Sequence, residues 1–519
     1  MQMEYFDFNG GAWERILSLL GDGPISLVSG LFMMLFVLFG AGYLILRSNQ
    51  RLRTLYVVLF SLYFYFKLSG IYLLLLLFTA LSDYIIGKQI YRCKEQGQRC
   101  RGWLVLSVVI NVGILAYFTA TNFFVDSINA IYGDGTLNWE AVVKPAGVSF
   151  FVFQSLAYVI DISRGTIKPL KHLSDYIFLL SFFPKVMCGP LVRAKDFIPQ
   201  IEADRLVVER KDLGRAVKLL VTGLIKYAVI AKIVGSQFVQ PAFDGSLGDS
   251  GVVALMAVYG FTLQIYCDFS GISDIAVGIA LLMGFRLPDN FDAPYKSATI
   301  TEFWRRWHIS LSSWLRDYLY ISLGGNRKGS FRTYLNLFMT MFIGGLWHGV
   351  GLCYIIWGAL HGLALALHKV WLRLIPNAKR FGEEMRGVWR LPATLLTFHI
   401  VAFGWLFFGS ALMFPKSDMQ VAGDILHRIA YNFSLADVVP MVQSSGFAIA
   451  TICLGYVLHF LPKRYDRAMC NFTTRSGWLG GALILIVAIW LVMQCDAIML
   501  AQSSDGAATM SALPMYANY

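Results

Sequence analysis

The sequence predicts an all-α polytopic membrane protein, and three observations carry that prediction. Of its 519 residues, 57% are hydrophobic and only 15% are charged, whereas a soluble chain carries about a quarter charged. Apolar runs long enough to cross a hydrocarbon core of about 30 Å as helix recur along the whole length. One of them is "ISLVSGLFMMLFVLFGAGYLIL" at 25–46. The charges themselves are sorted. Lys and Arg crowd into short loops, at Arg47, Arg51 and Arg53, at Lys88, Arg92, Lys94, Arg99 and Arg101, from Lys369 to Arg390 and from Lys463 to Arg475. Between them lie loops with Asp126, Asp134 and Glu140, or with Asp244 and Asp249, where basic residues are scarce. This alternation is the positive-inside pattern. It makes the net charge of +12 an orienting signal and not a nucleic-acid footprint.

Taken in order, the candidate spans are 25–46, 54–87 (two short helices), 103–124, 146–163, 216–240, 251–266, 391–412, 445–462 and 477–497. The shorter and broken apolar segments bring the count to roughly ten to twelve helices, some of them re-entrant. Acidic loops put both termini on the outer face. No repeat, low-complexity tract or soluble insert interrupts the chain, which reads as an extracytoplasmic segment 1–24, one membrane domain 25–500 and a tail 501–519. The acidic start "MQMEYFDFNGGAWE" has no basic n-region, so no cleaved signal peptide is expected. Eight cysteines are scattered without a C-x-x-C pair. Cys188, Cys267, Cys353, Cys453 and Cys495 read as small buried hydrophobes. Cys93 and Cys100 share a cytosolic loop, where no disulfide is expected.

Broken segments are the informative ones. In "FLLSFFPKVMCGPLVR" (178–193), Pro184, Gly189 and Pro190 break the helix and Lys185 sits inside it. Irregular backbone at membrane depth is tolerated where it is buried in protein or lines a wet cavity. The same break is expected in "QIYCDFSGISDIAVG" (264–278), where Asp268, Ser270, Ser273 and Asp274 interrupt an apolar run next to Tyr266. Intramembrane carboxylates mark candidate sites.

From Thr301 the text changes to "TEFWRRWHISLSSWLRDYLYISLGGNRKGSFR". As helix, Trp304, Trp307 and His308 share one face. The bland reading is an interfacial anchor. Against it stands the crowding of His308, Ser310, Ser312, Asp317, Asn326 and three arginines, Arg305 among them, into one short cytosolic segment. Next comes "GGLWHGVGLCYIIWGALHG" (344–362), flanked by Arg327, Lys328 and Arg332 before and Lys369 and Arg373 after. Both flanks belong on the cytosolic side, so the chain enters and returns. The inbound piece, Tyr334 to Trp347, has about 14 residues and reaches only about 20 Å as helix. The "HGVG" turn then leaves His348 at membrane depth, where an imidazole needs a polar partner or water. His361 and His368 follow on the return leg as structural residues. A metal site from the three histidines lacks H-E-x-x-H and any Cys or carboxylate at ligand spacing.

Together these residues resemble the membrane-bound O-acyltransferase (MBOAT) family, in its alginate and polysaccharide O-acetyltransferase branch. The resemblance rests on "PAGVSFFVFQSLAYVIDISRG" (145–165), "FFPKVMCGPLVR" (182–193), "QIYCDFSGISDIAVGIALLMGFRLPDNFDAPY" (264–295), "ITEFWRRWHISLSSWLRDYLYISLGGNR" (300–327) and "GGLWHGVGLCYIIWGALHG" (344–362), in order and spacing. It runs from about residue 20 to 370, with the diagnostic motifs at 145–362. It implies a bacterial cytoplasmic (inner) membrane protein with a through-membrane tunnel, His348 as the catalytic histidine and His308 as the second functional position. Trp304, Arg305, Trp307, Asp317, Asn326, Tyr266, Asp268 and Ser270 are the expected substrate-binding residues. An acyl-thioester donor, acetyl-CoA or an acyl-carrier thioester, would come from the cytosol with no bound cofactor, and periplasmic or surface transferases would finish the acetylation. Related teichoic-acid D-alanylation proteins take their acyl group from a carrier, so the donor stays open.

Moving an acetyl group from a thioester to a hydroxyl needs a base for that hydroxyl, and positioned acid–base catalysis gives about 10²–10⁴-fold. No G-x-S-x-G elbow appears, which favours direct transfer over a serine acyl-enzyme. Two readings compete. A transporter or flippase of an activated sugar or acyl carrier also uses broken helices and intramembrane carboxylates, but it usually carries internal repeats. A scaffold that only anchors a transferase predicts that His348 is replaceable.

Overall fold

The computed structural model describes residues 25–133, 136–375 and 387–502. The segment 1–24, most of the 501–519 tail and residues 376–386 of the basic loop lie outside the described residues. Every regular element among the described residues is helical. Ser29 opens α1 (Gly30–Leu46) by accepting from Phe32 N, and Asn49 opens α2 (Gln50–Ser69) by accepting from Arg51 N and Leu52 N. These caps satisfy amides that a helix start leaves orphaned. Gly70, at φ 56°, ends α2 and a 3₁₀ turn leads into α3 (Leu73–Glu95). The expected pair of helices within 54–87 is therefore present. Then come α4 (Arg101–Tyr132), α5 (Val148–Arg164), and the short α6 (Leu173–Ser181) and α7 (Phe183–Val186). Buried irregular backbone after α7 leads to α8 (Ala194–Glu202), so 178–193 is broken as expected.

A capping box of Glu209 and Asp212 starts α9 (Arg210–Leu224), which continues to Phe243 through two π-helical stretches, 225–231 and 235–239. It packs on α10 (Gly251–Leu282). Next are α11 (Ile300–Arg306), α12 (Ile309–Trp314), the hairpin of α13 (Ser330–His348) and α14 (Leu352–Leu374), then α15 (Arg390–Met413), α16 (Asp418–Tyr431), α17 (Val438–Phe460) and α18 (Lys463–Gln502).

Seven helical stretches among the described residues are long and apolar enough to cross a membrane: 50–95, 101–132, 251–282, 352–374, 390–413, 435–460 and 463–497. The protein is a polytopic helical membrane protein. Its layers follow from burial. The apolar window of α10 is 89% buried, whereas those of α4 and α18 are 11% buried, so α10 is the central post and the other two face lipid.

Three expectations need correction. Residues 264–278 are not a break: α10 runs unbroken through them. Ser273 and Asp274 find partners without opening the helix. Asp274 pairs with Lys226 of the π-helical stretch at 2.8 Å, and Gly223 and Gly271 let α9 and α10 approach until a Cβ on either would meet the other's carbonyl at 2.7–2.9 Å. Secondly, Trp304, Trp307 and His308 do not share a helix: α11 stops at Arg306, Trp307 is extended and His308 is left-handed at φ 42°. Thirdly, the inbound hairpin leg starts at Ser330 and has 19 residues, about 28 Å of helix. Its tip lies against the start of α16, where Cys353 N donates to Asp418 Oδ2 at 3.2 Å. The two legs form a helical hairpin, with an inbound leg longer than expected.

Candidate active site

The site forms where α11, α12, α13 and α14 converge. Thr299 caps α11 by accepting from Glu302 N (3.1 Å), while Glu302 Oε2 accepts from Ala298 N (2.8 Å). This reciprocal arrangement fixes where the helix starts. The helix ends one residue before Trp307, and the left-handed His308 then starts α12. A left-handed non-glycine residue costs of order 1–3 kcal/mol unless its surroundings hold it. Here they do. Asn290, itself buried, accepts Ile309 N on its backbone carbonyl (2.9 Å) and meets His308 Nδ1 with its side-chain oxygen (3.0 Å).

On the other side, α13 delivers His348 as its last residue before the Gly349–Gly351 turn. Gly345 touches Gly358 across the hairpin, and a Cβ on Gly358 would meet Met341 O at 2.7 Å. This close backbone approach brings His348 against the aromatic face of α14 and α15. Its ring lies 4.3 Å from Trp347, 5.2 Å from Trp357 and 5.0 Å from Phe408, the last two edge-to-face.

Both histidines open on one enclosed cavity of about 10 Å³, lined by Trp304, Trp307, His308, Leu311, Leu315, Met341, Gly344, His348 and Trp357. That is room for about one water, so the two histidines share a single small chamber. His308 is 2% and His348 6% exposed. Among the described residues no carboxylate or cysteine lines the chamber, which leaves the imidazoles as its acid–base groups.

Of the residues singled out in the sequence, Trp304, Trp307, His308 and His348 come together here. The others do not line the chamber. Arg305 points to the exposed side of α11. Asp317 is taken up by Arg193 and Arg316, each at 2.8 Å. Asn326 is exposed in the loop before α13. Tyr266, Asp268 and Ser270 are buried in α10, where Tyr266 packs edge-on against His459 at 4.7 Å and 6.4 Å from Trp307. Their separation from the chamber follows from α10 being an unbroken helix that shows successive residues to different neighbours. His361 sits behind the chamber wall, 5.1 Å from Trp304 and 5.0 Å from Trp357. His368 meets Thr301 Oγ1 at 2.7 Å. Sequence reasoning missed Asn290 and the apolar lining of Leu311, Leu315 and Met341. No sequence signal singled out Asn290, because its stretch "FRLPDNFDAPYK" already carries Arg286, Asp289, Asp292 and Lys296.

Fold and site together define an integral membrane protein of helices with two buried imidazoles on one enclosed chamber. The model of the membrane-bound O-acyltransferase family, MBOAT, matches residues 142–408, a stretch that includes the whole chamber. A probable alginate O-acetylase of Pseudomonas putida is 38% identical, over 82% of this chain and 84% of that relative. The peptidoglycan O-acetyltransferase of Helicobacter pylori is 33% identical over 76% and 77%. A teichoic acid D-alanyltransferase of Streptococcus thermophilus is 31% identical over 53% of this chain and 70% of its own length. The chain belongs to the MBOAT family and is an acyltransferase.

Proposed function

We propose that this protein is the membrane O-acetyltransferase of an exported polysaccharide, passing acetyl from a cytosolic thioester across the bacterial cytoplasmic membrane. The observation that carries the reading is the pairing of two buried imidazoles on one chamber whose other walls are aromatic and aliphatic. In this reading acetyl-CoA, or an acyl-carrier thioester, reaches the chamber from the side of the basic loops and the acceptor hydroxyl from the hairpin-tip side. His348 takes the hydroxyl proton as that oxygen attacks the thioester carbonyl. The carbon–sulfur bond breaks, and the same proton leaves with the thiolate as free thiol. A low-dielectric, nearly dry chamber favours transfer to the hydroxyl over loss of the acetyl group to water.

The polysaccharide assignment is supported by relatives named for alginate and peptidoglycan acetylation. D-alanyl transfer from a carrier protein is the second reading, supported by the teichoic acid D-alanyltransferase likeness. Periplasmic or surface acetyltransferases are the expected partners, receiving the group on the outer side, where both termini lie in this reading. Purified protein given radiolabelled acetyl-CoA should move label to a polysaccharide or partner-protein hydroxyl. Translocation of a sugar carrier in proteoliposomes with no acetyl transfer would replace this reading with the transporter one.

A further inference from the structure

Two of the sequence stretches singled out above meet at the Asn290 side chain, and a third joins them through Ser310. Asn290 Oδ1 is met by His308 Nδ1 at 3.0 Å, by Ser310 N at 3.2 Å and by Ser310 Oγ at 2.9 Å. Asn290 Nδ2 donates to Ser273 Oγ of α10 at 3.3 Å. Ser310 Oγ in turn accepts from Leu191 N, in the irregular stretch after α7, at 3.0 Å. The side chain is 3% exposed.

This arrangement decides which ring nitrogen of His308 carries the proton. A backbone N–H only donates, so the Asn290 atom facing Ser310 N is the amide oxygen and not the nitrogen. An amide oxygen only accepts. The His308 nitrogen beside it must therefore be the protonated one, Nδ1–H. In the neutral ring Nε2 is then left with a lone pair. His308 Nε2 is buried and has no hydrogen-bond partner among the described residues, and His308 lines the chamber. Phe269 edge-on at 4.6 Å and Phe150 stacked at 6.4 Å hold the ring plane.

We propose that Asn290 is the positioning residue of the site: it holds His308 in the Nδ1–H tautomer, so that Nε2 presents a proton-accepting lone pair to the reacting groups. The inference rests on the acetyl-transfer reading and adds a residue and a direction to it. His308 accepts a proton or hydrogen bond in the chamber; it does not supply one to an oxyanion. Asn290 thereby plays the part that an oriented third group plays behind a base elsewhere, where the wrong tautomer costs about 10⁴ in rate.

The test uses the full chain purified in detergent, with Asn290→Leu, which keeps size and removes the acceptor, and Asn290→Asp, which keeps it. The Leu variant should lose about 100-fold in kcat for acetyl transfer while the donor KM stays within about 3-fold. The Asp variant should recover most of kcat, with the acid limb of its pH profile moved to higher pH, because a carboxylate beside Nδ1–H favours the imidazolium. The titratable group sharing the chamber with His308 is His348, on which Lys144 also acts. Asp268, next to Phe269, has Cys188 and Tyr227 as electrostatic neighbours, while Phe150, Ser273 and Ser310 are uncharged. A folded Leu variant with near-normal kcat, or an Asp profile superimposed on the native one, overturns the assignment. Nitrogen-15 spectra of histidine-labelled protein, assigned with His308→Gln, read the tautomer without turnover. Nε2–H in the native protein also overturns it. Native Nδ1–H in a protein that moves no acetyl sinks the function and leaves Asn290's part standing.

Discussion

His348 ends a helix, faces three aromatic rings and shares its chamber with one other imidazole. If it is the base, His348→Gln keeps size and hydrogen bonding but loses proton uptake near neutral pH. The O-acetyl content of exported polysaccharide should then fall about 100-fold or more, about 3 kcal/mol of barrier, at unchanged membrane expression. Near-normal acetylation would make it a buried structural histidine. His308→Ala should be comparably damaging, because it removes the lone pair and leaves Asn290 Oδ1 without one of its donors. Arg305 belongs elsewhere. Exposed and outside the chamber, it should tolerate Ala with kcat unchanged and affect at most the KM for an anionic donor. At this scale the sequence was readable where a residue type is chemically unusual for its surroundings, as a histidine before glycine in apolar text is. It was not readable for Asn290, whose importance comes from what folds against it.

At the scale of elements the hairpin is the device that delivers His348. Gly345, Gly358 and Gly362 let its helices touch: a Cβ would meet Tyr354 O at 2.5 Å, Met341 O at 2.7 Å and Phe338 O at 2.8 Å respectively. Small residues at helix contacts serve this purpose inside membranes. Gly358→Ala forces the legs apart and should cost about 1–3 kcal/mol of stability, read as a lower unfolding temperature in detergent, together with lost activity. Gly423 in α16 has open space where its Cβ would lie. Gly423→Ala should be neutral or stabilising by about 0.4–1 kcal/mol, through reduced freedom of the unfolded chain. Equal losses in both variants would deny the hairpin contact its role. The "HGVG" glycines were visible in the sequence as turn formers; that Gly345, Gly358 and Gly362 set a helix–helix distance was not, since a contact partner is a tertiary fact.

For the whole molecule, the basic loops gather at one end. Lys94 Nζ donates to Ser163 O (2.9 Å), Arg164 to Asp317 O (3.1 Å), Lys463 to Asp292 (3.0 Å), Arg390 to Lys296 O (3.1 Å) and Arg210 to Arg475 O (2.9 Å). At the other end Gly251 N donates to Asn432 O (2.9 Å) and Ser250 Oγ to Asp437 (2.7 Å). If the basic end is cytosolic, single cysteines placed in a cysteine-free background at Gln98 and Asn326 should label only from inside. A cysteine at Ser246 should label only from outside. Outside labelling at Asn326 would invert the route proposed for the donor.

The sequence by itself determined the helical membrane class, the orientation signal, the family and the two histidines. Composition, charge order and local motifs are properties of the chain read along its length. The tertiary structure decided that His308 and His348 share one chamber, that α10 stays helical through Asp268 and Ser270, and that Trp307 and His308 leave the helix. Each of these depends on neighbours far away in sequence. Asn290 can hold His308 left-handed only once the chain has folded. Likewise Asp274 is accommodated in α10 because Lys226 arrives from another helix to pair with it.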